Sequence, residues 1–218
     1  MENKEFKKQK GFTLIELIIV MAVFMLVVAV AIAIFLSIVA SQKRILQQEQ
    51  MLSEVSYAME YMSKGLRMAL KDSGSTCLVW RNESGEITQE FENYIYLYTR
   101  ANTDNQEYEG IKFINASNND ACQEFFVTKD ATTQNNVLKE LKDQTTDTYS
   151  TLLTASKYNI DYFRTSINAT SGLSSYGASE DDSIQPRATL IMGFQVPGDN
   201  LQPEIKIQTT VSDRNINE

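Results

Sequence analysis

Histidine is absent from all 218 residues. Its absence removes the commonest general base, the Ser-His and Cys-His pairs, and the commonest metal ligand. Cysteine occurs only at Cys77 and Cys122, a spacing wrong for a zinc ribbon and with no histidine to complete a tetrahedral set. No G-x-S-x-G, Walker-type loop or H-E-x-x-H segment is present, nor a D-x-D-x-D-G calcium loop. Basic residues are the minority: 20 Lys and Arg face 28 Asp and Glu, for a net charge of −8. Lys4, Lys7, Lys8 and Lys10 stand against Glu2 and Glu5 in the first ten residues, so that stretch is +2 and the remainder −10. So acidic a body lacks the clustered cations that grip nucleic-acid phosphates, and no nucleic-acid contact is expected for it. The expectation is a non-enzyme with no cofactor and no metal.

Charge is missing in one further place. Glu16 is the only charged residue among the 29 positions from Phe12 to Ala40. As a helix that run measures roughly 43 Å, more than the ~30 Å hydrocarbon core of a bilayer. The lysines before it place the N-terminus in the cytoplasm and the rest of the chain outside the cytoplasmic membrane. Ala29-Val30-Ala31 and Ala31-Ile32-Ala33 have the form of secretory cleavage sites, but the apolar run continues well beyond both, unlike a secretory signal peptide. A plain signal anchor suits the length and flanks. It leaves unexplained a carboxylate inside an apolar segment, unless Glu16 stays wet at headgroup depth.

Lys10-Gly11-Phe12-Thr13-Leu14-Ile15-Glu16-Leu17 resembles, position by position, the class III signal sequence of type IV prepilins and type II secretion pseudopilins. The basic leader, the glycine, the phenylalanine, the glutamate and the long apolar run all stand in register. The resemblance implies that a prepilin peptidase removes residues 1–11 between Gly11 and Phe12, and that the new amine of Phe12 is N-methylated. It implies that Glu16, fifth in the mature chain, meets the N-terminal amine of a neighbouring subunit and sets register as subunits enter a filament. A buried carboxylate is tolerable when it meets an opposite charge. The implied partners are the prepilin peptidase/N-methyltransferase, other pilin or pseudopilin subunits, an inner-membrane assembly platform and the lipid bilayer. The implied location is the cytoplasmic membrane, then a surface or periplasmic filament. The proline often found midway along the membrane helix of major pilins is missing, with Ala33 near its place. Ile207-Gln208-Thr209-Thr210-Val211-Ser212-Asp213-Arg214-Asn215 is similar to the closing strand of larger minor pilins, including J-type minor pseudopilins.

Beyond Ser41 the chain turns polar and keeps a helical beat. Ile45, Leu52, Val55, Met59, Met62, Leu66 and Ala69/Leu70 share one stripe, with Glu54, Glu60 and Lys64 elsewhere. Asp72-Ser73-Gly74 reads as the stop, Gly65 as a soft point, and Glu60 as a partner for Lys64 one turn on. The helix from about 12 to 72 would then be about 90 Å long, its stripe packed on a sheet. The methionines at 51, 59, 62 and 68 read as core filling, not as an adaptable binding surface.

After Gly74 the period changes to two. Cys77 to Trp80, Tyr94 to Tyr98, Gly110 to Ile114, Glu124 to Val127, Tyr158 to Phe163, Ala188 to Val196 and Ile205 to Val211 read as strands. Asn115 to Asp120 and Thr165 to Asp182 read as loops, and Leu138 to Lys142 as a short helix. The fold class is α+β, a long N-terminal helix packed on an antiparallel β-sheet head, of the pilin-like kind that the resemblance implies. The expected domains are a leader at 1–11, the helix at 12–73 with its membrane part at 12–40, and an extracytoplasmic head at 74–218. Cys77 and Cys122 adjoin strands in the outward head. A bridge between them, preferred over two free thiols, would close a loop of about 45 residues and contribute ~4 kcal/mol on the chain-entropy model.

Weaker motifs remain. Glu180-Asp181-Asp182 with Asp199 form an acidic group more simply read as a solvated loop than as a calcium site. Asn82, Asn115 and Asn168 head N-x-S/T triplets of the kind that arise often by chance. The function expected is that of a structural subunit, a minor one, of a type IV pilus or type II secretion-like pseudopilus. The alternative is an uncleaved single-pass anchored domain that binds a ligand through the face bearing Tyr94, Tyr96 and Tyr98.

Overall fold

A computed structural model describes residues 11–74, 76–81, 86–92, 94–102, 107–142, 150–168, 177–179, 186–197 and 204–212. By compactness the chain divides after Gln48. Helix α1, Leu14–Arg67, contributes to both units. Neither glycine nor proline occurs between Phe12 and Lys64, so nothing interrupts its hydrogen-bond ladder.

From Leu17 to Ala40, within the first unit, α1 is apolar on every side and its large side chains are bare: Phe24 is 60% exposed, Phe35 64% and Leu26 67%. A helix hydrophobic all round needs an apolar medium. It is long and apolar enough to cross a membrane, and the chain is membrane-anchored through it.

In the second unit the same helix becomes one-sided. Met51, Val55, Ala58, Met59, Met62 and Leu66 are buried. The expected stripe holds from Val55 onward, but Ile45 and Leu52 are exposed and Met51 takes the inward place instead. Residues three or four positions apart face the sheet, and Met51, Val55, Ala58, Met59 and Met62 keep that spacing whereas Leu52 lies off it. Gly65 is a point of close approach, not a soft spot: a Cβ there would stand 3.2 Å from the Phe113 ring.

The strands are β1 Ala69–Leu70, β2 Val79–Arg81, β3 Ile87–Glu90, β4 Tyr94–Asn102, β5 Glu107–Asn115, β6 Ala121–Lys129 and β7 Asn136–Lys142. They continue with β8 Thr151–Leu152, β9 Asn159–Asn168, β10 Gly177–Ser179, β11 Arg187–Gln195 and β12 Ile205–Ser212. One antiparallel sheet runs β10-β4-β5-β6-β7-β8, with β1 paired to the end of β5; a second runs β12-β11-β9; β2 and β3 form a hairpin. Phe113, Phe125, Val127 and Leu138 of the first sheet share one core with Phe163, Leu190, Met192 and Phe194 of the second and with the buried face of α1. This is the expected α+β architecture, a long helix packed on antiparallel sheet.

Three local expectations are corrected. Helix α1 ends at Arg67, not near Asp72, because the chain enters the sheet at once. Met68 accepts from the Ala116 amide at 2.9 Å, Ala69 and Leu70 pair with Asn115 and Ile114, and the Asp72 amide donates to the Tyr94 carbonyl at 2.9 Å. Leu138 to Lys142 is strand, not helix: it belongs to β7, where Leu138 lies opposite Val127 and Leu141 opposite Glu124. The run Val-Leu-Lys-Glu-Leu-Lys has helix-forming composition, but pairing with β6 and burial of Val137, Leu138 and Leu141 decide its conformation. The loop expected from Thr165 is still strand through Asn168, and β10 lies within its later part. By contrast, Ala116–Asn118 is a single 3₁₀ turn closed by left-handed Asn119 and Asp120, within the loop expected at 115–120.

Asp72 does not cap the helix; it organises the turn beyond it. It is 1% exposed and its carboxylate accepts from the amides of Gly74, Thr76, Cys77 and Leu78 at 3.3, 3.2, 2.9 and 2.7 Å. Because the Cys77 and Leu78 amides are held there, β2 starts at Val79 instead of Cys77. Cys77 is bridged to Cys122, with Cα atoms 5.5 Å apart. The bridge lies in a small second core of Leu78, Phe91, Leu97 and Ile114.

A polar chain ties α1 to β6 and β7. The Tyr61 hydroxyl donates to Glu140 at 2.9 Å and accepts from the Lys142 ammonium at 3.0 Å. Lys142 also pairs with Glu140 at 3.2 Å, and the Gln123 amide donates to the same carboxylate. Glu140 is 5% exposed, so its charge is tolerable only because these donors surround it. Burial raises the Tyr61 pKa, and Glu140 adds to this against the opposing effect of Lys142. Burial alone would lower the Lys142 pKa, but Tyr61 and Glu140 outweigh it and the pKa is raised.

The exit turn and the bridge can each be tested by stability. Replacing Asp72 by Ala leaves four amides without their acceptor and should cost about 3 kcal/mol, read as a lower denaturation midpoint with the disulfide intact. Removing the bridge in the Cys77→Ser, Cys122→Ser double variant should cost about 2–5 kcal/mol. The alkaline limb reports the polar chain. Folded-state pKa values above the ordinary ~10 of Tyr and Lys give stability that is complete below that pH and is lost as pH rises through the raised values. The melting-temperature advantage of the wild type over Tyr61→Phe should therefore be constant from neutral pH to about 9 and shrink above about 10.

Candidate processing and assembly site

Gly11, Phe12 and Thr13 precede the helix in non-helical conformation and are exposed, Phe12 by 84%. A Cβ placed on Gly11 would meet nothing within 4 Å. The Gly11–Phe12 peptide bond therefore lies on an open, unladdered stretch of backbone. An enzyme that must bind its substrate in extended form meets no helical hydrogen bond to break there.

The next residue fixes where the helix begins. The Thr13 carbonyl accepts from the Leu17 amide at 3.3 Å, the first helical bond. The Thr13 hydroxyl accepts from the Glu16 amide at 3.3 Å, while the Glu16 carboxylate accepts from the Thr13 amide and hydroxyl, each at 3.3 Å. This is a reciprocal capping box, Thr13 at the N-cap and Glu16 three residues on. The carboxylate also lies in the first turn, where the helix dipole favours negative charge. Glu16 thus has partners of its own within the precursor, at the long end of hydrogen-bond range and in an exposed setting.

The sequence pattern singles out Gly11, Phe12 and Glu16 as expected site residues, and Thr13 is not among them. The signal for Thr13 was present as T-x-x-E before an apolar run. The structure brings Glu16 onto Thr13 and leaves Phe12 without a close partner among the described residues. Residues 82, 180–182, 199 and 213–215 lie outside the described residues. Asn115 is 7% exposed, its side-chain amide donating to Gln123 at 2.6 Å and its carbonyl accepting from the Ser117 amide at 2.9 Å. Its nitrogen is therefore inaccessible to a glycan in the folded head. The tyrosine face is inward: Tyr96 is fully buried with its hydroxyl on the Leu66 carbonyl at 2.8 Å, and the Tyr98 hydroxyl takes the Ile167 amide.

Residues 6–32 match the family model described as the prokaryotic N-terminal methylation motif. The chain carries a type IV pilin-like class III signal peptide. The matched stretch takes in Lys7, Lys8 and Lys10, Gly11, Phe12, the capping box and nearly three quarters of the apolar run. No curated protein and no solved structure matches the chain. The motif marks precursors of structural subunits, not catalysts.

The cap gives a direct expectation. Thr13→Ala should speed amide hydrogen exchange at Glu16 about fivefold in the unprocessed, micelle-bound chain, the equivalent of about 1 kcal/mol. Thr13→Ser should retain the wild-type rate. Equal rates in Thr13→Ala and wild type would mean that the box contributes nothing in the membrane-mimetic setting.

Proposed function

We propose that the chain is the precursor of a minor subunit of a type IV pilus or a type II secretion-like pseudopilus. The observation that carries the reading is the methylation motif over residues 6–32, set on an open Gly11–Phe12 bond directly before a capped apolar helix. The chain inserts with its N-terminus in the cytoplasm and its head outside. A prepilin peptidase cleaves after Gly11, and the exposed amine of Phe12 is methylated. An inner-membrane assembly platform then draws the subunit into a filament with other pilin or pseudopilin subunits.

Glu16 is the register device in this scheme. Once subunits leave the bilayer for the filament interior, its carboxylate needs a positive partner, and the Phe12 amine of a neighbour supplies one. The all-round apolar stretch of α1, bare in the isolated chain, supplies the surface on which neighbouring stems pack. A minor role is supported by the missing mid-helix proline near Ala33 and by β12, which closes the three-stranded sheet antiparallel to β11 with Ile207 opposite Met192. The J-type likeness of the tail belongs to this same proposal. The subunit is a substrate of the peptidase and does no chemistry of its own.

The alternative, an uncleaved anchored domain that binds through Tyr94, Tyr96 and Tyr98, loses the feature it needs. Tyr96 is core, and Tyr94 packs edge-on against Phe91 with ring centroids 5.4 Å apart.

Mass spectrometry of the N-terminus from membrane and sheared-surface fractions tests the scheme. N-methylated Phe12 is the expected N-terminus in both. An intact leader in cells with active prepilin peptidase would overturn the proposal. Glu16→Ala should leave cleavage unchanged and lower the sheared-surface fraction more than tenfold, since an uncompensated buried charge costs about 3 kcal/mol or more. Wild-type surface levels in that variant would remove Glu16 from assembly.

A further inference from the structure

A cavity of about 220 Å³ opens where the last turns of α1 cross the first sheet. Tyr61, Lys64 and Gly65 wall it from the helix, Ser117 and Asn118 from the 3₁₀ turn, and Lys142 from β7. Asn115 and Gln123 complete it. It lies wholly in the unit that starts at Glu49, so nothing about it depends on the signal peptide.

Three features distinguish this cavity from an ordinary surface dimple. The first is charge: two lysines, Lys64 and Lys142, line it on a body whose net charge is −10 outside the leader. Lys64 is exposed and has no acidic partner among the described residues, so the pair expected with Glu60 is not made. Lys142 shares its charge with buried Glu140. The site is thus left with about one uncompensated positive charge, the complement of a monoanion and not of a phosphate dianion.

The second is rigidity. Tyr61, Lys142 and Gln123 are all fixed on the one Glu140 carboxylate, and the Asn115 amide is fixed on Gln123. Glu140 is not among the lining residues, and its charge is offset by Lys142 while it orients these donors. Polar groups held before a ligand arrives lose little freedom on binding.

The third is size and lining. At ~30 Å³ per water the cavity holds about seven waters, below the ~300 Å³ at which sites for drug-sized ligands begin. One ring-sized unit fits within it. Asn115, Ser117, Asn118, Gln123 and the two lysines bring polar groups to a lining whose exposed surface is nonetheless more apolar than polar, the Tyr61 ring and Gly65 included. Gly65 keeps the helix side open, where any side chain would crowd Phe113 and Asn115.

We propose that this cavity binds a single carboxylated sugar, a uronic-acid-sized monoanion, with Lys64 and Lys142 on the carboxylate and Ser117 and Asn118 on the hydroxyls. The ligand is either a free sugar acid or the terminal unit of an acidic polysaccharide, since the acidic body repels the rest of such a polymer.

Calorimetric titration of the detergent-solubilised full chain with sodium glucuronate at fixed ionic strength tests the site. One saturable site is expected, with a Kd on the order of 1 mM. Glucose, which lacks the carboxylate, and acetate, which lacks the ring hydroxyls, should each bind at least about tenfold more weakly. Lys64→Gln, at an exposed helix position, and Asn118→Asp, which adds a negative charge at the rim, should each weaken glucuronate about tenfold while leaving the melting temperature unchanged. A glucuronate oligomer that binds like the monomer assigns the polysaccharide end as a competent source, and one that does not bind assigns the free acid. Absence of saturable glucuronate binding, equal binding of acetate or phosphate, preference for a polyglutamate peptide, or unchanged affinity in both variants would overturn the proposal.

Discussion

The second unit depends on how the chain leaves its helix. The last carbonyls of an α-helix and the amides just beyond it have no helical partner, and here they end inside a core where water cannot serve them. The structure answers group by group over a few residues. The Leu66 carbonyl takes the Tyr96 hydroxyl, the Met68 carbonyl takes the Ala116 amide, Ala69 and Leu70 join β5, and Asp72 gathers four amides of the turn beyond. Since β5 also presents Phe113 to Gly65, helix, sheet and exit loop are fixed together. The Cys77–Cys122 bridge then joins the end of that loop to the start of β6. A buried carboxylate satisfied by four amides and a disulfide close by make this corner the natural anchor of the head.

Helix α1 meets two environments with a single secondary structure. From Leu17 to Ala40 it is apolar on all sides, which only lipid or other apolar helices can satisfy. From Met51 onward its apolar residues keep to one face, which the sheets cover. The change is encoded entirely in the pattern, with no break in the helix: polar residues such as Gln47, Gln48, Glu49, Glu54 and Glu60 enter while the backbone ladder continues. A chain drawn from bilayer to filament on the proposed route would exchange one apolar medium for another around the first stretch and leave the second untouched.

How much of this was legible in the sequence depends on the range of the interactions. The Gly11-Phe12…Glu16 signal and the apolar run are local and could be read directly. Most strands announced themselves by alternation, with ends displaced by a residue or several. What failed was decided at a distance. The helix end at Arg67 depends on β5, more than forty residues away in the chain. Leu138 to Lys142 reads as helix by composition, and only its pairing with β6 makes it strand. The cavity beside α1 draws on Tyr61, Ser117, Gln123 and Lys142, which no local pattern links. Lys64 shows the same limit from the other side, since the local i, i+4 rule offered Glu60 and the folded chain leaves that pair unmade.

The capping box bears on why a glutamate can sit at position 16 in every stage of the proposed pathway. In the precursor the carboxylate accepts the Thr13 amide and hydroxyl at 3.3 Å, bonds that hold the first turn while leaving lone pairs to spare. Cleavage after Gly11 would create a cation at Phe12, one residue before the cap. A positive charge there opposes the helix dipole, and a carboxylate in the first turn offsets that cost within the same subunit. Packing into an apolar filament then raises the penalty for any unpaired charge, so both the amine and the carboxylate gain from a partner across the subunit boundary. Weak, exposed capping bonds are what such an exchange requires: strong enough to start the helix at Leu14, and loose enough to release the carboxylate to a better partner.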